Sequence, residues 1–160
     1  MSATAGLVLA AAMMLSTTAS AETIALPRTK VPLVLPDGWT RLEAAGVVAA
    51  ARGPKHTLVA VTRAQVPNAD AWMGPKTRAA YAAQVERGIL RTLAPSRTKL
   101  GEANGVPALD VEARRPDGTL VLVRVLMFRT YALAVALEVP RDADAAEARA
   151  IAAAFTPPKA

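Results

Sequence analysis

TLVLVRVLMFRTYALAVALEVP, residues Thr119 to Pro140, is the stretch whose reading decides the fold. Arg129 and Thr130 are the only consecutive polar pair inside it, so it reads as two strands, Leu120 to Phe128 and Tyr131 to Val139, joined by a tight turn. With Phe128 facing Tyr131, strand alternation puts Leu120, Leu122, Leu126, Phe128, Tyr131, Leu133, Val135 and Leu137 on one face, interrupted by Arg124. Val121, Val123, Val125 and Met127 share the other face with Ala132, Ala134 and Ala136. A hairpin apolar on both faces must be covered on both, which calls for a central sheet between two layers. The stretch is long enough to span a bilayer, but Arg124, Arg129 and Glu138 argue against that, since a central charge costs about 2.5 to 3.5 kcal/mol on insertion scales.

Working back from it, two turns set the neighbouring registers. Asn104-Gly105 is a strong hairpin signal and places Ala103 opposite Val106. Pro116-Asp117-Gly118 turns the next strand and places Arg115 opposite Thr119. Together they set Arg97 opposite Glu112, Lys99 opposite Asp110, and Asp110 opposite Arg124 on its other side. Each pair joins opposite charges, so Arg124 has a structural partner inside the apolar hairpin.

Helices are predicted on either side of this meander. Pro75 to Leu93 repeats Ala82, Val85, Ile89 and Leu93 at spacings of three and four, with Pro75 in the first turn and Pro95 as the stop. Gly88 inside it implies either close packing or exposure. Arg141 to Phe155 forms the second helix, with Asp144 and Glu147 as a capping box and Ala148, Ile151, Ala152 and Phe155 facing inward.

Nearer the start, Pro32 to Leu35 is extended, Pro36-Asp37-Gly38 turns it, and Trp39 reads as a core plug in a chain with only 4% aromatic residues. Gly46 to Arg52 and Thr57 to Val66 form a hairpin around Gly53, Pro54, Lys55 and His56. The lone histidine, at that tip, reads as solvated. Pro67 to Gly74 is a loop carrying Trp72 and Met73, a candidate partner contact. Arg78, Arg87 and Arg91 on the first helix complete that candidate surface as its anion-facing part.

Met1 to Ala21 has no Asp, Glu, Lys or Arg; an apolar core from Ala5 to Leu15 is followed by Ala19-Ser20-Ala21. This reads as a signal peptide cut after Ala21, in which the amino terminus supplies the only leading positive charge. Residues 22–30 then read as a tail, 31–156 as one domain and 157–160 as a second tail. All 19 Lys and Arg and all 13 Asp and Glu follow the cut, so the mature domain keeps the net charge of +6. A pI near 10.3 favours anionic neighbours such as acidic lipid, a polyanionic envelope polymer or nucleic acid, of which export would exclude the last; an envelope protein or an anionic surface is the expected partner. With no cysteine there is no disulfide, and the core alone must hold the exported domain.

The order of strand, PDGW turn, hairpin, helix, meander and short helix ending in Phe resembles the PsbP and DcrB-like family. VPLVLPDGWTRL from Val31, GVPALDVEARR from Gly105, YALAVALEVP from Tyr131 and AIAAAF from Ala150 carry the likeness. It implies an antiparallel sheet between helical layers, and the role of a non-catalytic accessory protein: a photosystem assembly or stabilising subunit, an envelope protein, or a chaperone of secreted toxins. The metal and surface residues of its photosynthetic members match no position here.

No catalytic constellation stands out. Ser96 lacks a strand-to-helix elbow, and the carboxylate sets Asp110 with Glu112 and Asp142 with Asp144 are explained by the charge ladder and by helix capping. No Gly-rich phosphate loop precedes a helix. The sequence therefore predicts an α+β protein: a central, meander-rich antiparallel sheet covered by helices on both faces as a three-layer α/β/α sandwich. It is expected to be an exported binding or accessory protein of the cell envelope with no metal and no cofactor. The competing reading is a small periplasmic hydrolase or ligand carrier with a pocket between sheet and helices. Mass spectrometry of the protein from its native host should find Glu22 as the first residue; a chain that still begins at Met1 or Ser2 would end the export claim.

Overall fold

The computed structural model of the protein describes residues 21–65, 74–89, 91 and 93–160. They form a mixed α+β fold with strands β1 (Glu22–Ala25), β2 (Pro32–Leu35), β3 (Thr40–Leu42), β4 (Ala49–Arg52), β5 (Leu58–Gln65), β6 (Ala94–Ala103), β7 (Val106–Arg114), β8 (Leu120–Met127) and β9 (Tyr131–Val139). Helix α1 (Pro75–Ile89) follows β5, and α2 (Ala146–Ala154) follows β9. Seven strands make one antiparallel sheet in the order β3-β4-β5-β9-β8-β7-β6, and β1 and β2 make a separate ribbon.

The decisive hairpin lies at the centre of the large sheet, and its two faces are those the alternation predicts. Leu120, Leu122, Leu126, Leu133, Val135 and Leu137 pack with the ribbon residues Ile24, Leu33 and Leu35 and with Ala148, Ile151 and Phe155 of α2. Val121, Val123, Val125, Met127 and Ala136 pack with Tyr81, Ala82 and Val85 of α1. The turn at Arg129-Thr130 needs no positive φ, which suits those residues. It is closed by the Phe128 amide donating to the Tyr131 carbonyl at 2.9 Å and by stacking of the two rings at 4.7 Å.

The turn chemistry sets the registers as expected. Asn104 (φ 48°) and Gly105 (φ 82°) both take the left-handed conformation that a two-residue hairpin demands. Arg97 stands opposite Glu112, Lys99 opposite Asp110 and Asp110 opposite Arg124. At the next turn, Asp117 Oδ1 accepts the Thr119 amide at 2.8 Å, and this bond holds the Asp117 carboxyl below its ordinary range.

Four expectations are corrected. The sheet does not have a helical layer on each side. One face is covered by the β1–β2 ribbon and α2, the other by α1, and at the β3–β5 end of that second face Leu42, Ala50 and Ala60 are met by Ala44 and Val47. Residues 22–25, read as part of a tail, form β1, because Thr23, Ile24 and Ala25 find Val34, Leu33 and Pro32 as antiparallel partners and Ile24 is buried. Helix α1 ends at Ile89 rather than Leu93, since Pro95 restricts Ala94 to extended conformations and β6 has already begun. Helix α2 starts at Ala146 rather than Arg141. Asp144 Oδ1 takes the Ala146 amide at 2.9 Å in a turn of its own, while Glu147 leaves the capping box to accept a hydrogen bond from Trp39 Nε1.

Trp39 is the core plug the sequence suggests, only 3% exposed. Its indole lies flat against Gly53, where a Cβ would come within 2.4 Å of Trp39 Cε2. Gly88 has no atom within 4 Å of such a Cβ and is exposed, so exposure is the reason it is tolerated. Gly53→Ala should therefore cost about 1–3 kcal/mol by overpacking. Gly88→Ala should instead be stabilising by up to about 1 kcal/mol through helix propensity. Thermal unfolding of the two variants checks the contrast; equal melting temperatures would contradict it.

Candidate functional site

Across the face that carries the ribbon, the sheet changes character row by row. One row runs Ala51, Val59, Leu137, Leu122, Glu112, Arg97, and the next Val61, Val135, Arg124, Asp110, Lys99. The apolar members lie at the sheet's middle, and the charges gather on β6, β7 and the β7 side of β8. Helix α2 crosses above this boundary. Between it and the strands lies an open groove of about 270 Å³ lined by Arg97, Lys99, Asp110, Glu112, Arg124 and Arg149.

Arg124 anchors the groove. Its Nε donates to Asp110 Oδ1 at 2.7 Å and its Nη2 to Asp110 Oδ2 at 3.0 Å, a two-pronged pairing of planar groups. Nη1 reaches the Ala153 carbonyl and Thr156 Oγ1, both at 3.2 Å, and Thr156 Oγ1 itself donates to Ala153 O at 2.8 Å. A strand arginine therefore satisfies a carbonyl at the C-terminal end of α2, where the helix dipole also favours a cation. Arg149 Nη1 ties the helix to Glu112 Oε1 at 2.6 Å, and Arg97 Nη1 lies 4.0 Å from the other oxygen of the same carboxylate.

Both carboxylates are thus taken from within, while the cations outnumber them four to two. Arg124 is only 18% exposed and locked; Arg97 is 73% exposed. Lys99 is likewise exposed and leaves Asp110 to Arg124. The outer rim, Arg97 and Lys99, is what the groove presents to solvent.

Groups suited to bond-making chemistry do not converge on it. Ser96 stands at a bulge in β6 and donates to the Glu112 carbonyl at 3.2 Å. His56, exposed at the β4–β5 tip, is four strand steps from β6, about 19 Å at a strand spacing near 4.8 Å. Among the described residues no three His, Cys, Asp or Glu side chains group as a metal site. No helix among them is long and apolar enough to cross a membrane.

The basic residues singled out on α1 do not share one side. Arg78 lies nine residues before Arg87, which at about 100° per residue sets them on opposite sides of the helix. Arg78 Nη1 is paired with Glu102 Oε1 at 3.3 Å across β6, whereas Arg87 and Arg91 are exposed and Arg91 lies beyond the helix. Trp72 and Met73 lie outside the described residues. The groove cations Arg97, Lys99 and Arg149 were not singled out as a site. The first two were legible as rungs of the charge ladder; the third needed the packing of α2, 37 residues away from Glu112.

The class these elements define is an α+β protein with the PsbP-like fold. The solution structure of cyanobacterial PsbP from Synechocystis superposes with a TM-score of 0.59 at 12% identity, covering 79% of this chain and 84% of that one. A crystal structure from Bacteroides thetaiotaomicron gives a TM-score of 0.50 at 15% identity, covering 85% of this chain and 47% of the other. No family profile matches the chain, and no curated protein does. At such identities the likeness is one of fold.

Arg124→Ala should cost about 1.5–3 kcal/mol in denaturant unfolding, because it strips both the Asp110 pair and the α2 carbonyl bond. Asp110→Ala should cost under about 1 kcal/mol, because that carboxylate is half-exposed and Arg124 keeps its grip on α2. Equal losses would mean that Arg124 acts through Asp110 alone.

Proposed function

We propose that this protein is a non-catalytic accessory protein, exported and cleaved after Ala21, that binds an acidic partner in the cell envelope through the rim of the α2 groove. The observation that carries the reading is the charge imbalance there: four cations against two carboxylates already engaged, with Arg97 and Lys99 turned outward. The PsbP-like fold supports an accessory role, and the net charge of +6 supports an anionic partner. A hydrolase reading is less well supported, with Ser96 bound to a backbone carbonyl and the lone histidine across the sheet. Nor are Trp72 and Met73 needed for the anion contact, although a Trp-Met pair would suit a second one.

Poly-L-glutamate is a direct probe of this surface. Its affinity for the protein should fall at least about tenfold between 0.1 M and 1 M salt, as the screening length drops from about 10 Å to about 3 Å. The double variant Arg97→Ala with Lys99→Ala removes the rim charge without setting like charges against Glu112 and Asp110, and should bind weakly at either salt while melting close to the parent. Binding that ignores both salt and these two substitutions would overturn the reading.

A further inference from the structure

Strand β6 closes one edge of the large sheet, and no described strand pairs with its outer side. It is ten residues long, against three for β3 at the opposite edge, and residues 96 to 100 are all exposed. The Asn104-Gly105 turn makes Ala103 and Val106 a hydrogen-bonded pair, so alternation along β6 turns the amides and carbonyls of Thr98, Leu100 and Glu102 outward. No described strand pairs with these donors and acceptors, which stand in strand geometry, the template on which an extended peptide can add. Side chains on the two faces of this edge differ sharply. On the groove face stand Arg97 and Lys99; on the α1 face stands Leu100, 38% exposed and one of two large apolar side chains left exposed among the described residues.

We propose that the acidic partner is an extended protein segment that joins the sheet as a further strand along β6, with acidic and apolar side chains alternating. Its carboxylates would meet Arg97 and Lys99 on the groove face, and its apolar residues would cover Leu100 on the other. Period-two alternation makes both contacts at once, which a flexible polyanion or a lipid headgroup layer does not. A second copy of this chain answers less of the edge. Antiparallel registers centred on Thr98 or Lys99 set Lys99 of one copy against Arg97 or Lys99 of the other, and one centred on Leu100 sets Lys99 against Gly101 and Arg97 against Ala103, so none brings a carboxylate to either cation. The proposal deepens the accessory reading above and rests on it.

Short synthetic peptides that alternate Glu and Val test it, with fluorescence anisotropy on the purified protein. The unmodified peptide should bind, and amide exchange at Thr98, Leu100 and Glu102 should slow on binding. A peptide of identical sequence with the pairing edge N-methylated should bind at least about tenfold more weakly, since it keeps the charge and loses the ladder. Leu100→Pro removes one outward amide together with the side chain and should weaken binding about tenfold, Leu100→Ala removes the side chain alone and should weaken it less, and Lys99→Glu, which leaves the backbone intact, should also weaken it. Equal affinity for both peptides would overturn strand addition and leave an electrostatic accessory role standing. So would poly-L-glutamate binding with no peptide binding, or protection of β6 by anionic vesicles instead of by the peptide. If no polyanion binds, the accessory reading falls as well.

Discussion

Everything in this molecule answers to the two-sided apolarity of the β8–β9 hairpin. Leu122, Leu126, Leu133, Val135 and Leu137 on one face and Val121, Val125 and Met127 on the other are all buried, and full burial of such a side chain contributes about 1.5–3 kcal/mol. A sheet with one wet face would forfeit half of that. The chain therefore delivers α1 to one side and the β1–β2 ribbon with α2 to the other, using different devices for the two faces. The Val and Ala face is met by Tyr81, Ala82 and Val85 of α1, whereas the Leu face takes Phe155, Leu33 and Leu35. With aromatics at 4% of the chain, the core is mostly aliphatic, with Trp39 and Phe155 as its buried aromatic plugs among the described residues.

Arg124 is the place where this constraint meets the charged part of the surface. A guanidinium in the middle of the hairpin would be costly unless its donors were satisfied. Its solution is to point along the row that leads outward, pair with Asp110 on β7, and spend its remaining donor on the end of α2. One side chain thus fixes the sheet edge to the helix above it. The groove exists because α2 is held at that height over strands whose outer residues are charged, and so the geometry of the rim depends on an interaction in the interior.

Much of this was legible locally. Asn104-Gly105 and the Asp117-Gly118 turn set registers by backbone sterics alone, and once those are set the opposition of Arg97 to Glu112 and of Asp110 to Arg124 follows by counting. The faces of β8 and β9 follow from alternation. What was not legible depended on contacts distant in sequence. Glu147 is bonded to Trp39, 108 residues earlier, instead of closing a capping box, and no local rule for capping anticipates that. Strand β1 is four residues beside Pro27 that acquire strand character only from β2. Grouping Arg78 with Arg87 and Arg91 failed for a simpler reason, helical pitch, which the spacing already contained. Arg149 became a groove residue only when α2 packed over Glu112.

The kind of charge at the rim bears on what the groove can do. An arginine guanidinium stays protonated in proteins and donates in a fixed planar fork, so it recognises and orients anions but does not exchange protons with a substrate. Catalysis by acid and base requires a group that can give up and regain a proton, held against its target. Here the two groove carboxylates are paired with arginines, Ser96 donates to a carbonyl, and the lone imidazole, at the β4–β5 tip, is four strand steps from β6. A site with locked pairs within and exposed cations at its rim, Arg97 held only at 4.0 Å from Glu112, is suited to holding an anionic partner. Its precision comes from β6, whose pleat spaces Arg97 and Lys99 two residues apart on one face, about 6.6 Å along the strand, the spacing at which the alternate residues of another strand present theirs.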